Sequence, residues 1–259
     1  LSGGLSLLKE HGNLSNYYQF LITSRAPSIE DLFSDGPHLG NYAYEIGDPN
    51  LEQENTLGFE NTISIFNSNY KIKLTSYLNY SPNYHLSEKM GDGYTPGADW
   101  IEWGSGPIGW LYKYRLMGLE ALKYGFEPHF TIDFESSKIN CNASIIRGIN
   151  MTDNNPLSYM PPDHIRIQYE KNVLFLTNTF EAVLVSFQNR LGEFETKTDG
   201  YSLFNYFGSY TISKNEKTHK IIFQLKNILN ETYYNHLSKL KMIMPEPGRS
   251  FNINYRIFF

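Results

Sequence analysis

Hydrophobic and polar residues alternate strictly along several stretches of the chain. In the last stretch one set is apolar and the other polar: Phe251, Ile253, Tyr255, Ile257 and Phe259 against Asn252, Asn254 and Arg256. The same alternation recurs at 56–65, 71–80 and 165–170. Because successive side chains of an extended strand point to opposite faces, a period of two predicts strands with one apolar and one polar face. The sequence therefore predicts an all-β protein.

We predict about eleven strands from this pattern. Several of them reach the roughly nine to eleven residues with which a tilted strand crosses a bilayer. The fifth is long enough that part of it should project beyond a membrane. The approximate ranges are 3–9, 14–24, 52–66, 71–84, 112–134, 138–149, 163–171, 177–189, 200–212, 218–228 and 249–259.

The connections between these strands alternate between short and long. Tight turns at one end and long loops at the other are typical of an outer-membrane barrel, whereas a soluble sandwich has no reason to sort its loops in this way. The fold predicted is therefore a transmembrane antiparallel β-barrel. The short connections lie near 11–13, 67–69, 135–137, 172 and 213–216, and the long ones near 25–51, 85–111, 150–162, 190–199 and 229–248.

The strand count implies that the barrel needs more chain than this. In hydrocarbon every backbone N–H and C=O needs an internal partner, so an open sheet edge is not tolerated. Bacterial single-chain barrels use even strand numbers with both chain ends in the periplasm. We therefore expect an odd number of further strands upstream, and we interpret residues 1–259, which open with Leu1, as one barrel domain from a longer protein.

Composition agrees with this picture and removes some alternatives. Aromatic residues make up 15% of the chain and charged residues only 19%, which suits strands with one apolar face. The net charge of -5 argues against a nucleic-acid partner. Cys141 is the single cysteine, so no internal disulfide can form. The sequence offers no nucleophile–base pair, phosphate loop or paired carboxylates, so we expect no enzyme and no cofactor.

Several motifs resemble those of TonB-dependent receptors, which are bacterial outer-membrane proteins. Residues 24–33 (SRAPSIEDLF) resemble the family's R-A-P-x-x-x-E-L-F segment, and residues 47–54 (GDPNLEQE) are similar to its loop-to-strand entry. Residues 124–127 (YGFE) and 225–234 (LKNILNETYY) resemble its Y-G-F-E strand and N-L-F-D-x-x-Y-Y box. The matches run in the family's order from about residue 14 to 259. Asp31 and the pair Ile228 and Leu229 are conservative departures from the pattern.

The resemblance implies a fold and a function for the whole protein. This chain would be the C-terminal half of a 22-stranded barrel whose N-terminal plug domain is missing here. The protein would take up a scarce nutrient through the outer membrane, driven by the TonB–ExbB–ExbD complex acting on the plug. An iron complex or a metal ion is the first expectation, ahead of a glycan. Other expected partners are outer-membrane lipid, lipopolysaccharide and the barrel-assembly machinery, for which the final aromatic residue, Phe259, would be the assembly signal.

Candidate ligand contacts lie in the long connections. Imidazole and carboxylate groups are ligands for zinc and similar ions, so His38, Glu45, Asp48 and His236 are metal candidates, with Asp35 beside them. The regions around His38 and His236 also resemble the zinc-regulated subgroup of the family. An alternative is that clustered aromatic residues stack on a larger organic ligand. These residues are Trp100, Trp103 and Trp110.

A rival interpretation comes from another class of protein. The chain could be a soluble, secreted, β-rich glycan-binding module, such as a propeller or sandwich. Its alternation would then build a core between sheets, and its aromatic residues would be recognition platforms. Heat-modifiable gel mobility and dependence on detergent would favour the barrel, whereas solubility without detergent and no affinity for outer-membrane fractions would favour this rival.

Overall fold

The computed structural model describes residues 2–104, 109–214 and 216–259. Strands hold 64% of the residues and helices 4%, so the predicted all-β class is confirmed. The described helical elements are α1 (Ile29–Phe33) and a 3-10 turn at Lys239–Met242. The strands are β1 (Gly3–His11), β2 (Leu14–Arg25), β3 (Asp35–His38), β4 (Ala43–Ile46), β5 (Glu54–Phe66), β6 (Tyr70–Lys89), β7 (Trp100–Glu102), β8 (Trp110–Asp133), β9 (Ser137–Asn150), β10 (Asn155–Pro156), β11 (His164–Val173), β12 (Leu176–Val185), β13 (Tyr201–Lys214), β14 (Lys217–Lys226) and β15 (Ser250–Phe258).

Eleven of these strands form a continuous wall. They pair antiparallel with their neighbours in the order β1-β2-β5-β6-β8-β9-β11-β12-β13-β14-β15. Each corresponds to one predicted strand. The four short strands, β3, β4, β7 and β10, were not predicted because two to four residues are too few to show a period. Strands β1 and β15 are the two edges of the sheet, and no pair joins them in the described part of the chain.

The wall has an apolar outer face. One cross-strand row runs Phe20, Phe59, Leu78 and Tyr124, and the exposed fractions of Phe20, Leu78 and Tyr124 are 56%, 46% and 40%. A sandwich would pack such a face against a second sheet. Here the wall strands belong to one sheet and leave the apolar row uncovered. This pattern is that of a barrel wall and not of the soluble rival.

The opposite, inner face is polar. Thr62 and Thr75 are buried there and their hydroxyl groups lie 3.0 Å apart. Further along the wall, the Glu181 carboxylate accepts hydrogen bonds from Gln168 and Asn205. Buried polar groups in such a wall need partners, and these cross-strand pairs provide them. The alternation read from the sequence therefore assigns the two faces correctly.

One end of the wall carries the long connections. Strands β6 and β8, with 20 and 24 residues, extend furthest in that direction. The connection after β2 starts with α1, where Ser28 and Asp31 form a capping box. It then forms the β3–β4 hairpin, and β4 pairs in parallel with β8. The long β8 is thus the support on which this connection rests.

Among the described residues no helix is long and apolar enough to cross a membrane. Two predicted connections fall partly outside the described residues. Residues 105–108 of the predicted aromatic loop and Asn215 of the predicted turn at 213–216 lie outside the described part of the chain.

Candidate functional site

Five long loops meet at one end of the wall. The first loop is 26–53, the second 90–109 (described except for 105–108), the third 151–163, the fourth 186–200 and the fifth 227–249. The third loop folds onto the inner face, where Tyr159 and Met160 line a cavity of about 560 Å³ together with Tyr77 and Lys123 of the wall. A small apolar cluster anchors this loop, since Leu157 is 1% exposed.

Glu195 of the fourth loop joins three loops. Its carboxylate accepts the backbone N–H of Tyr159 in the third loop at 3.0 Å and that of Gly192 in its own loop at 3.1 Å. Its Oε1 lies 2.9 Å from Nε2 of His236 in the fifth loop. The side chains of Glu195 and His236 are 3% and 0% exposed. Because removing either would leave buried polar groups without partners, this Glu195 junction fixes the loops relative to one another.

Electrostatics at the junction favour an ionised Glu195. Burial raises the pKa of Glu195, but the contact with His236 and the backbone N–H groups outweigh burial, so its pKa lies below the ordinary value. On the other side of the imidazole, Nδ1 of His236 lies 2.8 Å from the Thr198 hydroxyl and 3.3 Å from Nζ of Lys241. Burial lowers the pKa of Lys241. The junction therefore keeps its charges close together and away from water.

Lysine and tyrosine side chains line a cleft beside the junction. Nζ of Lys89 lies 4.0 Å from the ring centre of Tyr112, and Nζ of Lys239 lies 4.2 Å from that of Tyr114. Such contacts hold an ammonium group against an aromatic face without neutralising it. The cleft is therefore both cationic and aromatic. Its lining includes Lys89, Tyr112, Tyr114, Tyr159, Glu195, Lys239 and Lys241.

Lys239 also ties the fifth loop to the first. Its Nζ donates to Oε1 of Glu45 at 3.2 Å, and Asn41 Nδ2 donates to the same oxygen at 3.1 Å. Burial raises the pKa of Glu45, but the hydrogen bond from Asn41 and the Lys239 ammonium outweigh it, so the pKa lies below its ordinary value. A ligand that attracted Lys239 would therefore disturb a contact between two loops.

The predicted residues of the first loop lie together on the β3–β4 hairpin and after it. Asp35 is exposed and accepts a hydrogen bond from the Tyr44 hydroxyl at 2.7 Å. His38 is exposed, and its Nδ1 accepts the backbone N–H of Asn41 at 3.3 Å. Asp48 accepts the backbone N–H of Asn50 and so shapes a turn.

The structure places His236 away from solvent, in the Glu195 junction. Among the described residues, no group of three or more His, Cys, Asp or Glu side chains is arranged to hold a metal ion. The metal role of His38, Glu45, Asp48 and His236 stays a prediction. In this structure the two ring nitrogens of His236 contact the Glu195 carboxylate and the Thr198 hydroxyl.

Two of the three predicted tryptophans come together. The rings of Trp100 and Trp110 lie on the paired strands β7 and β8, with their centres 6.0 Å apart. Trp103 follows β7, and its backbone N–H donates to the Gly109 carbonyl at 2.8 Å. Sequence reasoning missed Lys89, Glu195, Lys239 and Lys241. A usable clue was the density of lysine and tyrosine near the ends of the long loops.

Comparison with known proteins supports the fold. No protein-family model matches the chain. The copper transporter OprC superposes with a TM-score of 0.75 at 17% identity, over 96% of this chain and 38% of OprC. The ferric enterobactin receptor PfeA of Pseudomonas aeruginosa, solved with enterobactin, gives 0.70 at 18% identity, over 99% of this chain and 40% of PfeA. The siderophore receptor PirA of the same organism gives 0.65 at 15% identity, over 100% and 42%.

The chain thus spans about two fifths of the length of these proteins. The matched proteins are named as a copper transporter and as siderophore receptors. At this level of identity the comparison establishes the fold. The chain has the fold of a portion of the β-barrel of TonB-dependent receptors.

Proposed function

We propose that this chain is part of an outer-membrane receptor that takes up an anionic iron chelate by TonB-dependent transport. The observation that carries the proposal is the grouping of Lys89, Lys239 and Lys241 against Tyr112, Tyr114 and Tyr159 around a cleft at the long-loop end. Because the cleft itself holds only about 30 Å³, a chelate would lie across its mouth. Ammonium groups attract an anionic complex, and tyrosine faces can stack on its aromatic or planar groups. PfeA and PirA, named as receptors of this kind, support the choice.

The cellular setting belongs to the same proposal. The exposed apolar row of the wall fits the lipid-facing band of a barrel in the outer membrane, with the long loops outside the cell. The remainder of the barrel and a plug would come from the rest of the protein. TonB–ExbB–ExbD would supply energy through that plug. The edges β1 and β15 would then pair with further strands, as a barrel in hydrocarbon requires.

Binding to the full-length receptor tests the substrate. We expect a Lys239→Gln and Lys241→Gln double variant to bind a ferric tris-catecholate about tenfold or more weakly than the unchanged protein, because two desolvated cations are lost. Lys226→Gln, an exposed position at the end of β14, is the matched control and should leave the affinity unchanged. Equal affinity of the double variant and the control would overturn the chelate proposal.

A bare metal ion is the second candidate, because OprC is named as a copper transporter. Its contacts would be His38 and Glu45 on the exposed hairpin, with Asp35 and Asp48 nearby. His38→Ala should then impair growth on limiting zinc or copper and leave growth on ferric chelates normal. If no metal-dependent defect is seen, the Trp100 and Trp110 pair becomes the next site to test, with a larger organic ligand.

Phe259 is proposed as the signal for the barrel-assembly machinery. It is 89% exposed and directly follows β15, and Nζ of Lys217 lies 4.8 Å from the centre of its ring. Deleting Phe259 in the full-length protein should lower the amount in the outer membrane while synthesis stays the same. Immunoblots of membrane fractions would show this, and normal membrane levels would contradict the role.

A further inference from the structure

A pocket lies between the fourth and fifth loops, next to the lysine–tyrosine cleft. This loop pocket holds about 300 Å³, which is at the lower end of the roughly 300–1,000 Å³ of small-molecule sites. Its lining consists of residues 196–199 in the fourth loop and of Tyr234 and residues 241–243 in the fifth. Thr196, Lys241 and Met242 line the cleft as well. A ligand that lies across the mouth of the cleft can therefore extend into the loop pocket.

The fourth-loop side of the pocket is an extended segment with one free edge. Gln188 donates its backbone N–H to the Thr198 carbonyl at 2.9 Å, and Thr198 donates its own to the Gln188 carbonyl at 3.2 Å. In an antiparallel pair, the backbone groups of successive residues point to opposite edges, so those of Lys197 and Asp199 point away from Gln188. Within the described residues, the backbones of Lys197 and Asp199 form no hydrogen bond. The segment therefore offers unused donors and acceptors.

The side chains of this segment sort onto two faces. The Thr196 hydroxyl donates to Sδ of Met242 at 3.4 Å, and the Thr198 hydroxyl lies 2.8 Å from Nδ1 of His236, so both threonines contact the fifth loop. Lys197 and Asp199 alternate with them and are exposed. All four residues line the loop pocket, whereas a pocket against one face alone would contact every second residue. The free edge of the segment therefore belongs to the pocket.

This combination is complementary to an extended peptide. When a peptide adds to the edge of a sheet, its amides pair with the unused backbone groups, and alternate side chains give specificity. Lys197 and Asp199 carry opposite charges two residues apart, so they favour a polar peptide and not a polyanion. A bare metal ion or a compact anion would leave the free backbone groups of this edge unused.

We propose that the loop pocket binds a peptide portion of the transported nutrient, which adds as a short strand to the edge of residues 196–199. Tyr234, which is 41% exposed, and Ile243 provide apolar contacts on the fifth-loop side. The inference rests on the proposed function in one respect, namely that an iron chelate lies across the mouth of the adjacent cleft. It narrows the substrate to a chelate that carries a peptide.

The test compares three ferric tris-catecholates by calorimetric titration of the full-length receptor. One has no peptide, one carries a serine–alanine–serine peptide, and one carries the same peptide with every amide N-methylated. We expect the peptide to raise the affinity about tenfold, because about two hydrogen bonds of net benefit are added. The N-methylated peptide should give no gain, because it cannot donate to the free edge.

Two variants separate the backbone from the charge. Lys197→Pro removes an N–H that has no partner within the described residues, so it should abolish the gain from the peptide. Its affinity for the chelate without a peptide should be unchanged, which also checks that the variant is folded. Lys197→Gln is the matched control, because it loses the charge but keeps the N–H, and it should retain most of the gain.

Equal affinity for all three chelates, or an equal gain from the N-methylated peptide, would overturn the inference. If the chelate without a peptide still binds in that case, the proposed function stands. If no chelate binds, the free tripeptide amide is tested by saturation-transfer NMR. Its binding to the unchanged receptor but not to Lys197→Pro would support the peptide site and overturn the chelate proposal. Absence of both chelate and peptide binding would overturn the two proposals together.

Discussion

The two ends of the wall are built in different ways. At the short-turn end, strands are joined by a few residues, and the ladder continues almost to the turn, as at Val173 and Leu176. At the long-loop end, contacts join residues far apart in the chain. Glu195 meets His236, and Glu45 meets Lys239. The wall is stabilised by local pairing, whereas the loops are held by a few long-range contacts between charged side chains and by the small apolar cluster around Leu157.

Because of this difference, the stability of the fold and the specificity for a ligand depend on different parts of the molecule. The ladder satisfies the backbone of the wall whatever the ligand is, so the loops can vary without loss of the fold. The Glu195 junction and the lysine–tyrosine cleft share the fourth and fifth loops. A change at one is therefore expected to affect the other, while the wall remains as it is.

The largest effect is expected from a charge on the outer face of the wall. Ile63 pairs with Leu74 within the apolar face of β5 and β6. Ile63→Arg should lower the free energy of unfolding of the full-length protein in lipid by about 2–4 kcal/mol, because the charge would face hydrocarbon. Urea titration of the lipid-reconstituted protein measures this change.

The control for that experiment lies on the inner face. Lys73 is exposed and pairs with Ser64, so Lys73→Gln should change stability little. Thr62 is a poorer control, because it is 7% exposed and its hydroxyl lies 3.0 Å from that of Thr75. Similar losses for Ile63→Arg and Lys73→Gln would contradict the assignment of the two faces.

The next effect concerns the loops. Glu195→Gln should weaken the packing of the third, fourth and fifth loops by about 1–3 kcal/mol, because the buried carboxylate loses its charge and one acceptor oxygen. Hydrogen exchange of the loop amides should increase, while the exchange of β11–β14 should not change. Glu193→Gln, an exposed neighbour in the same loop, is the control. Unchanged protection of Tyr159 and Gly192 in Glu195→Gln would show that the junction is not what holds the loops.

The contrast between the wall and the loops also explains which parts of the structure could be predicted from the sequence. The eleven wall strands were predicted because period-two alternation is a local pattern, clear even around Phe251 and Ile253. The Glu195 junction could not be predicted, because Glu195 and His236 carry no common spacing and meet only after two loops fold. For the same reason the sequence could not show that His236 is buried in this junction, and its role as a ligand contact stays a prediction. A sequence shows that a histidine is in a loop but not whether that loop buries it.

A fall in pH should destabilise the packing of the loops more than it destabilises the wall. The folded pKa of Glu195 lies below its ordinary value of 4.5, so its ionised form contributes stability above that value and loses it as the pH falls through the lower, folded pKa. Protection of the Tyr159 amide, corrected for intrinsic exchange, should fall as the pH is lowered below about 4.5. Glu195→Gln should reduce this dependence, and Glu45, whose pKa is shifted in the same direction, should account for the remainder. An equal acid response in Glu195→Gln would assign it to other groups.

The smallest effect is expected at the short-turn end, where two turns place different residues, a leucine and a glycine, in a left-handed backbone conformation. Leu174 lies in a two-residue turn with φ 55° and is 94% exposed, whereas Gly12 has φ 57° in the β1–β2 turn with open space where a Cβ would lie. A left-handed conformation is unfavourable for leucine and suits glycine.

Leu174→Gly should therefore raise the free energy of unfolding by up to about 1 kcal/mol, and Gly12→Ala should lower it by a similar amount. Both changes are measured in the same urea titration as Ile63→Arg. Loss of stability in Leu174→Gly, with the expected loss in Gly12→Ala, would mean that this apolar turn gains more from contact with the lipid interface than it loses in backbone strain. The short-turn end would then hold one apolar contact that its ladder does not explain.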